Sequence, residues 1–94
     1  MQLDRSNIER SLLHKGFRRE DSDHRFYYFY HEGKRTAIRT KISHGSSYKT
    51  YGDDLISKVV RQLHFDSRQQ FAGFVQCSFS LSAYRDLLLS KRLI

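Results

Sequence analysis

The sequence has no proline and only one cysteine, Cys77, among its 94 residues. Because no proline-rich, repetitive or low-complexity tract divides it, the chain is predicted to form a single domain, residues 1–94, with a modest core. A lone cysteine cannot close an internal disulfide, so the fold is expected not to depend on disulfide bonds, which suits a reducing compartment. Cys77 itself is expected to be a small buried hydrophobic residue.

Long apolar runs are also missing. No stretch approaches the roughly 20 residues that a membrane-spanning helix needs. The first ten residues include Asp4 and Glu9 where a signal peptide would be apolar. We therefore expect a cytoplasmic protein with no membrane partner. Hydrophobic residues form 38% of the chain and charged residues 29%, a balance typical of a folded protein and not of a disordered one.

Acidic residues are few relative to basic ones. The chain has 17 Lys and Arg against 10 Asp and Glu, which gives a formal net charge of +7. Basic side chains gain affinity for nucleic acids by displacing counterions from phosphates, so a polyanionic partner is predicted. The basic excess is larger in residues 1–50 than in residues 51–94, so the binding surface is expected in the first half of the chain.

Local patterns predict a helix, three strands and a second helix. Ser6 and Glu9 fit a capping box at the start of the first helix, and Gly16 can end it. Aromatic and β-branched residues mark the strands, and Asp53 suits the first turn of the second helix. In order, the predicted elements are a helix over 6–15, strands over 17–20, 24–31 and 36–42, and a helix over 53–63.

One or two further helices are predicted after the αβββα core of residues 6–63. Ser67 and Gln70 form a second capping box, and apolar residues recur at helical spacing over residues 82–91. The predicted fold class is α+β: an antiparallel three-stranded sheet with helices on one face, plus a C-terminal helical extension over residues 66–94. The extension is expected to complete the core, and the alternative is a homodimer contact through Phe71, Phe74, Tyr84 and Leu88.

Glu32-Gly33 is a plausible two-residue hairpin turn that assigns strand residues to two faces. Symmetric pairing about this turn places His24 opposite Lys41 and Phe26 opposite Arg39. The core face is predicted to hold Arg25, Tyr27, Phe29, Thr36, Ile38, Thr40 and Ile42, and the other face His24, Phe26, Tyr28, Tyr30, Arg35, Ala37, Arg39 and Lys41.

His24 and His44 are the candidate catalytic residues. Each lies at the end of a predicted strand beside a turn, and imidazole is well suited to proton transfer near neutral pH. Lys41 and Arg39 could stabilise the charge that builds on phosphorus during strand cleavage. RNA supplies its own nucleophile in the 2′-hydroxyl, so such a site needs no metal or other cofactor.

Four short motifs follow one another along the chain: Gly16-Phe17, Ser22-Asp23-His24-Arg25, Ile42-Ser43-His44-Gly45 and Gly52-Asp53-Asp54-Leu55. In this order they resemble the motifs of the HicA toxins, small mRNA-cleaving ribonucleases with a fold like the double-stranded-RNA-binding domain. The resemblance covers about residues 6–63 and implies that His24 is the catalytic histidine and that a HicB-like antitoxin protein binds the chain. Asp23 departs from the family, which usually has a small hydroxyl residue there, and the family's proline before the second histidine is absent.

A non-catalytic RNA-binding module of the same fold is the alternative interpretation. Its contacts to a duplex would come from the first helix, the turn between the first two strands and the start of the second helix. A zinc site is disfavoured because the histidines and Cys77 lack ligand spacing. The partner under both interpretations is mRNA or duplex-containing RNA, and the residues predicted to bind it are Arg25, Arg35, Arg39, Lys41, Lys58 and Arg61.

Overall fold

A three-stranded antiparallel sheet lies at the centre of the computed structural model, which describes residues 1–43 and 49–94. In chain order the elements are β1 (Leu3–Asp4), α1 (Arg5–His14), β2 (Phe17–Asp21), β3 (Arg25–His31), β4 (Lys34–Ile42), β5 (Thr50–Tyr51), α2 (Asp53–Leu63), α3 (Arg68–Val75) and α4 (Leu81–Ser90). The central sheet has the order β2-β3-β4, and β1 pairs separately with β5. The predicted α+β class and αβββα core are confirmed.

Two of the predicted helix boundaries rest on capping boxes, and the structure supports one of them. At the start of α3 the Gln70 N–H donates to Ser67 Oγ at 3.0 Å, as predicted, while the Gln70 side chain accepts the Asp66 N–H at 2.8 Å and not that of Ser67. At the start of α1, by contrast, no side chain caps the helix, which begins at Arg5. The predicted box of Ser6 and Glu9 is wrong because the Glu9 carboxylate instead accepts hydrogen bonds from strand β3.

The β3–β4 hairpin turns at Glu32-Gly33, as predicted. Both residues have positive φ, 51° and 77°, which a two-residue hairpin turn of type I′ requires. Next to the turn, Tyr30 pairs with Arg35, in agreement with symmetric pairing.

Beyond Tyr30 the register of the hairpin shifts. Between the pair Tyr30–Arg35 and the next pair, Tyr28–Arg39, β4 has two more residues than β3. Tyr28 pairs with Arg39 and Phe26 with Lys41, so the predicted pairs His24–Lys41 and Phe26–Arg39 are wrong. A shift of two residues preserves the alternation of side chains, however. Tyr27, Phe29, Ile38, Thr40 and Ile42 are buried on one face, as expected.

All four helices pack on that buried face of the sheet. Glu9 of α1 contacts Tyr27, Gln62 of α2 accepts a hydrogen bond from Thr40 at 2.6 Å, and Phe74 of α3 contacts Phe17. Within the core, Tyr84 of α4 has its ring centroid within 6 Å of four phenylalanine rings, and all five rings are at most 5% exposed. The four are Phe17, Phe29, Phe65 and Phe74.

The C-terminal helices complete the core, as expected from the sequence. The four side chains considered for a homodimer contact are fully buried within the chain, so they are not available to a partner; they are Phe71, Phe74, Tyr84 and Leu88. The expectation for Cys77 is wrong: its side chain is exposed, and the residue adopts a positive φ of 68° after the end of α3. In the described parts of the chain, no helix has the length and apolarity to cross a bilayer.

Gly16 occupies a tight position between α1 and β2. Its φ is +90°, and a Cβ atom there would lie 2.9 Å from Phe29 Cε1 and 3.2 Å from Leu81 Cδ1. We expect Gly16→Ala to lower the free energy of unfolding by about 2–4 kcal/mol, because left-handed backbone strain and overpacking add together. The loss is measured by urea denaturation followed by circular dichroism.

Gly33→Ala is the matched control for this substitution. Gly33 also has a positive φ, +77°, but a Cβ atom there would meet nothing within 4 Å. Its cost should therefore be the backbone term alone, about 1 kcal/mol. Equal losses for the two variants would contradict the packing role of Gly16.

Candidate nucleic-acid interface

His24 lies in the turn between β2 and β3, with its side chain exposed. The Ser22 N–H donates to the His24 carbonyl oxygen at 3.1 Å, which keeps this turn tight. The imidazole is edge-on to the Phe26 ring, with 6.3 Å between the centroids and an interplanar angle of 81°. His24 therefore extends the row of β3 aromatic rings at one end of the sheet and is accessible from solvent.

A shallow depression adjoins His24 and is lined by Arg19, Asp21, Ser22 and Arg25. Arg19 is exposed and fixed by Asp21, to whose two carboxylate oxygens its Nε and Nη2 donate at 2.9 Å each. This paired geometry is the strong form of an arginine–carboxylate contact. It holds a guanidinium beside the histidine, but Asp21 also offsets part of its charge.

Arg25 is half-buried and points toward the helices. Its Nη1 donates to Glu9 Oε2 at 2.8 Å, and the same oxygen accepts the Tyr27 hydroxyl at 2.5 Å. Burial is the main cause that raises the pKa of Tyr27, and the hydrogen bond from the Tyr27 hydroxyl to Glu9 raises it further. The hydroxyl therefore stays protonated and continues to donate. Arg25 thus borders the His24 depression with a charge that Glu9 largely neutralises.

The side of the sheet away from the helices carries a layered set of arginines and aromatic rings. We call this surface the open face and define it by Arg18, Glu20, Phe26, Tyr28, Tyr30, Arg35, Arg39 and Lys41.

Each aromatic ring of the open face is half-buried and has a guanidinium above it. The guanidinium carbon of Arg18 is 4.3 Å from the Tyr30 centroid, and that of Arg35 is 4.6 Å from the Tyr28 centroid. Arg39 lies 4.9 Å from the Phe26 centroid. These distances are in the range of cation–π contacts.

Glu20 is the acidic residue of the open face. Its carboxylate accepts the Tyr30 hydroxyl at 3.0 Å and Arg35 Nη1 at 2.7 Å. The hydrogen bond to Glu20 is the main cause that raises the pKa of Tyr30. The open face is basic because it has one carboxylate and four cationic side chains: Arg18, Arg35, Arg39 and Lys41.

The residues predicted to bind RNA do not form one surface. Arg35, Arg39 and Lys41 share the open face, whereas Lys58 and Arg61 are exposed on α2, on the other side of the sheet. Arg25 is paired internally, and His44 lies outside the described residues.

Arg18 joins the open face although the sequence prediction did not include it. The alternation of side chains along β2 could have predicted this position, because Arg18 follows the buried Phe17 and so lies on the opposite face, where it pairs with Tyr28.

Metal ligands do not converge in the described ranges 1–43 and 49–94: no three His, Cys, Asp or Glu side chains are arranged so as to hold an ion. The Cys77 thiol is exposed at the far end of α3.

Comparison with known proteins finds no matching family model, no similar curated protein and no similar solved structure. The resemblance to the HicA toxins therefore stays a prediction, carried by the short motifs around His24 and by the order of the elements.

Proposed function

We propose that the protein binds RNA and cleaves it with His24 as the proton-transfer residue, as a HicA-like endoribonuclease acting on mRNA in the cytoplasm. The observation that supports this most directly is the exposed imidazole of His24 at the end of the basic open face. An imidazole in such a position can reach a phosphodiester whose strand is held by nearby cations.

The reaction that suits this site is internal transesterification. His24 accepts the proton of a ribose 2′-hydroxyl as its oxygen attacks the adjacent phosphorus, and the bond to the 5′-oxygen of the next nucleotide breaks. The leaving oxygen takes a proton from water or from a second acid, for which His44 is the candidate. The products are a 2′,3′-cyclic phosphate and a 5′-hydroxyl end.

Arg19 is a better candidate than Lys41 for stabilising the charge on phosphorus. It lines the depression beside His24, while Lys41 pairs with Phe26 one step further into the sheet. A guanidinium already oriented by Asp21 needs little rearrangement when negative charge develops on the phosphate oxygens.

A non-catalytic RNA-binding module is the second candidate. It is favoured by the register of the hairpin, because the lysine that was expected opposite His24 is displaced toward Phe26. Such a module would use the same cations for phosphate contacts and would leave RNA intact. A HicB-like antitoxin partner and a homodimer stay predictions under both candidates.

The test incubates purified protein in EDTA with an end-labelled RNA and with the DNA oligonucleotide of the same sequence. We expect the RNA to be cut to fragments ending in 2′,3′-cyclic phosphate and the DNA to stay intact, since DNA lacks the attacking hydroxyl. RNA that is cut in a parallel reaction without EDTA but not in its presence would show that the chemistry needs a metal. RNA that is bound but uncut in both reactions would favour the non-catalytic module.

A further inference from the structure

We propose that the open face binds single-stranded RNA, with bases stacked on its arginine and aromatic planes and the strand leading to His24. This inference rests on the RNA binding proposed above, but it assigns that binding to the sheet and not to the helical side that carries Lys58 and Arg61. Three observations carry it: the row of rings with guanidinium planes over them, the charge and the continuity of the surface.

The aromatic rings of the open face lie in one row along β3 at regular spacing. The centroid of Phe26 is 6.3 Å from that of His24 and 6.2 Å from that of Tyr28, so alternate residues present rings in one row. Guanidinium groups lie over these rings and are exposed. RNA bases stack both on aromatic rings and on arginine planes, and this contact tolerates any base.

The charge of the open face suits a phosphate backbone. Its four cations lie on the two outer strands, β2 and β4, and flank the rings of β3. The carboxylate of the open face, Glu20, is already engaged by Arg35 and the Tyr30 hydroxyl. The carboxylate between this face and His24, Asp21, is paired with Arg19. Phosphates can therefore approach the outer strands while bases stack on the guanidinium planes that lie over the rings of the middle strand.

Three neighbouring depressions make the surface continuous from β4 to His24. The first is lined by Tyr28, Arg35 and Arg39, together with the small side chain of Ala37. The second shares those three residues and extends past Phe26 to Ser22. The third shares Asp21 and Ser22, contains His24, and extends around the end of the sheet to Arg19 and Arg25. A strand that follows them would bring a phosphodiester to the imidazole.

Single-stranded RNA fits this face better than a duplex or a protein. A duplex hides the faces of its bases, so these bases cannot stack on the guanidinium and aromatic planes of the open face. Two copies of the open face would meet with like charges, which disfavours a symmetric homodimer through it. Binding of an apolar protein surface to the open face would remove water from its four cations, which is unfavourable.

The test measures the anisotropy of a fluorescein-labelled, mixed-sequence 2′-O-methyl oligonucleotide, which cannot be cleaved. It is used as a single strand and as a duplex, so the readout does not depend on catalysis. The two key variants remove equal charge from opposite sides of the sheet: Arg35→Gln with Arg39→Gln, and Lys58→Gln with Arg61→Gln.

We expect the open-face pair to weaken single-strand binding about tenfold or more and to reduce the slope of log K against log salt by about 1.4. The α2 pair should change affinity less than about twofold. Tyr28→Leu should weaken binding about tenfold without changing the salt slope, and Tyr28→Phe should retain affinity, because the ring supports the Arg35 guanidinium on which a base can stack. Far-ultraviolet circular dichroism confirms that each variant is folded.

The outcomes separate this inference from the proposed function. A larger effect of the α2 pair, or tighter binding of the duplex than of the single strand, would overturn the assignment to the open face while RNA binding stands. Wild-type protein that binds neither oligonucleotide would overturn both. Self-association that the open-face pair abolishes, with RNA binding unchanged, would assign the face to a second copy of the chain.

Discussion

Substitution of His24 by alanine is expected to lower the rate of RNA cleavage by about 10²–10⁴-fold, the usual contribution of a positioned proton-transfer group. Affinity for an uncleavable oligonucleotide should change little, because the cations of the open face remain. The rate is measured with end-labelled RNA under single-turnover conditions, so that binding and chemistry are separated.

His14→Ala is the matched control for the histidine experiment. His14 is also exposed, but it lies in the last turn of α1, on the helical side of the sheet. Cleavage should be unaffected by its loss. A His24→Ala variant that cleaves at the wild-type rate would remove His24 from the mechanism, whereas equal losses in both variants would indicate a structural effect.

Tyr84→Ala is expected to lower the free energy of unfolding by about 3–5 kcal/mol. The Tyr84 ring is 0% exposed, and its centroid is 4.9 Å from that of Phe65 and 5.3 Å from that of Phe74. The cavity left by alanine would open between α4, α3 and the sheet. Small domains have a total stability of only about 5–15 kcal/mol, so this variant should be close to unfolded.

Tyr84→Phe is the control that keeps the ring. It removes the hydroxyl, which donates to the Leu63 carbonyl oxygen at 2.8 Å, and should cost about 1 kcal/mol. Both losses are measured by urea denaturation. If Tyr84→Ala lowered the free energy of unfolding by no more than Tyr84→Phe does, the packing of the C-terminal helices would not contribute to the stability of the core.

The sequence predicted the sheet faces correctly because side chains alternate along a strand whatever its partner. Tyr27 and Phe29 could therefore be assigned to the core from local pattern alone. The shift in register could not be predicted, because it arises where Thr36 Oγ1 donates to the Phe29 carbonyl oxygen at 2.6 Å and accepts the Ile38 N–H at 3.2 Å. These hydrogen bonds replace regular pairing at one point of the hairpin.

The candidate site was predictable where it depended on alternation and not where it depended on packing. Arg35, Arg39 and Lys41 were correctly assigned to one face of the sheet. All three are odd-numbered positions of β4, and a register shift of two residues does not change the face of a side chain. The ion pair of Arg25 with Glu9 spans 16 residues, and no local pattern reports such a partner.

The two-residue strands β1 and β5 were also missed. Each is too short to show a period, and the pairing of Leu3 with Tyr51 is set by tertiary packing. The side of the sheet that α2 covers is likewise a tertiary property, so the sequence could not show that Lys58 and Arg61 lie on the opposite side of the sheet from Arg39.

The cations of β2 and β4 also bear on aggregation. These strands are the two edges of the central sheet in the described chain, and their outer backbone groups could pair with the edge of another molecule. Charged residues on both edges oppose such pairing: Arg18 and Arg19 on β2, and Lys34, Arg35, Arg39 and Lys41 on β4. Variants neutralised at these positions, such as Arg35→Gln with Arg39→Gln, should therefore be less protected against edge-to-edge association.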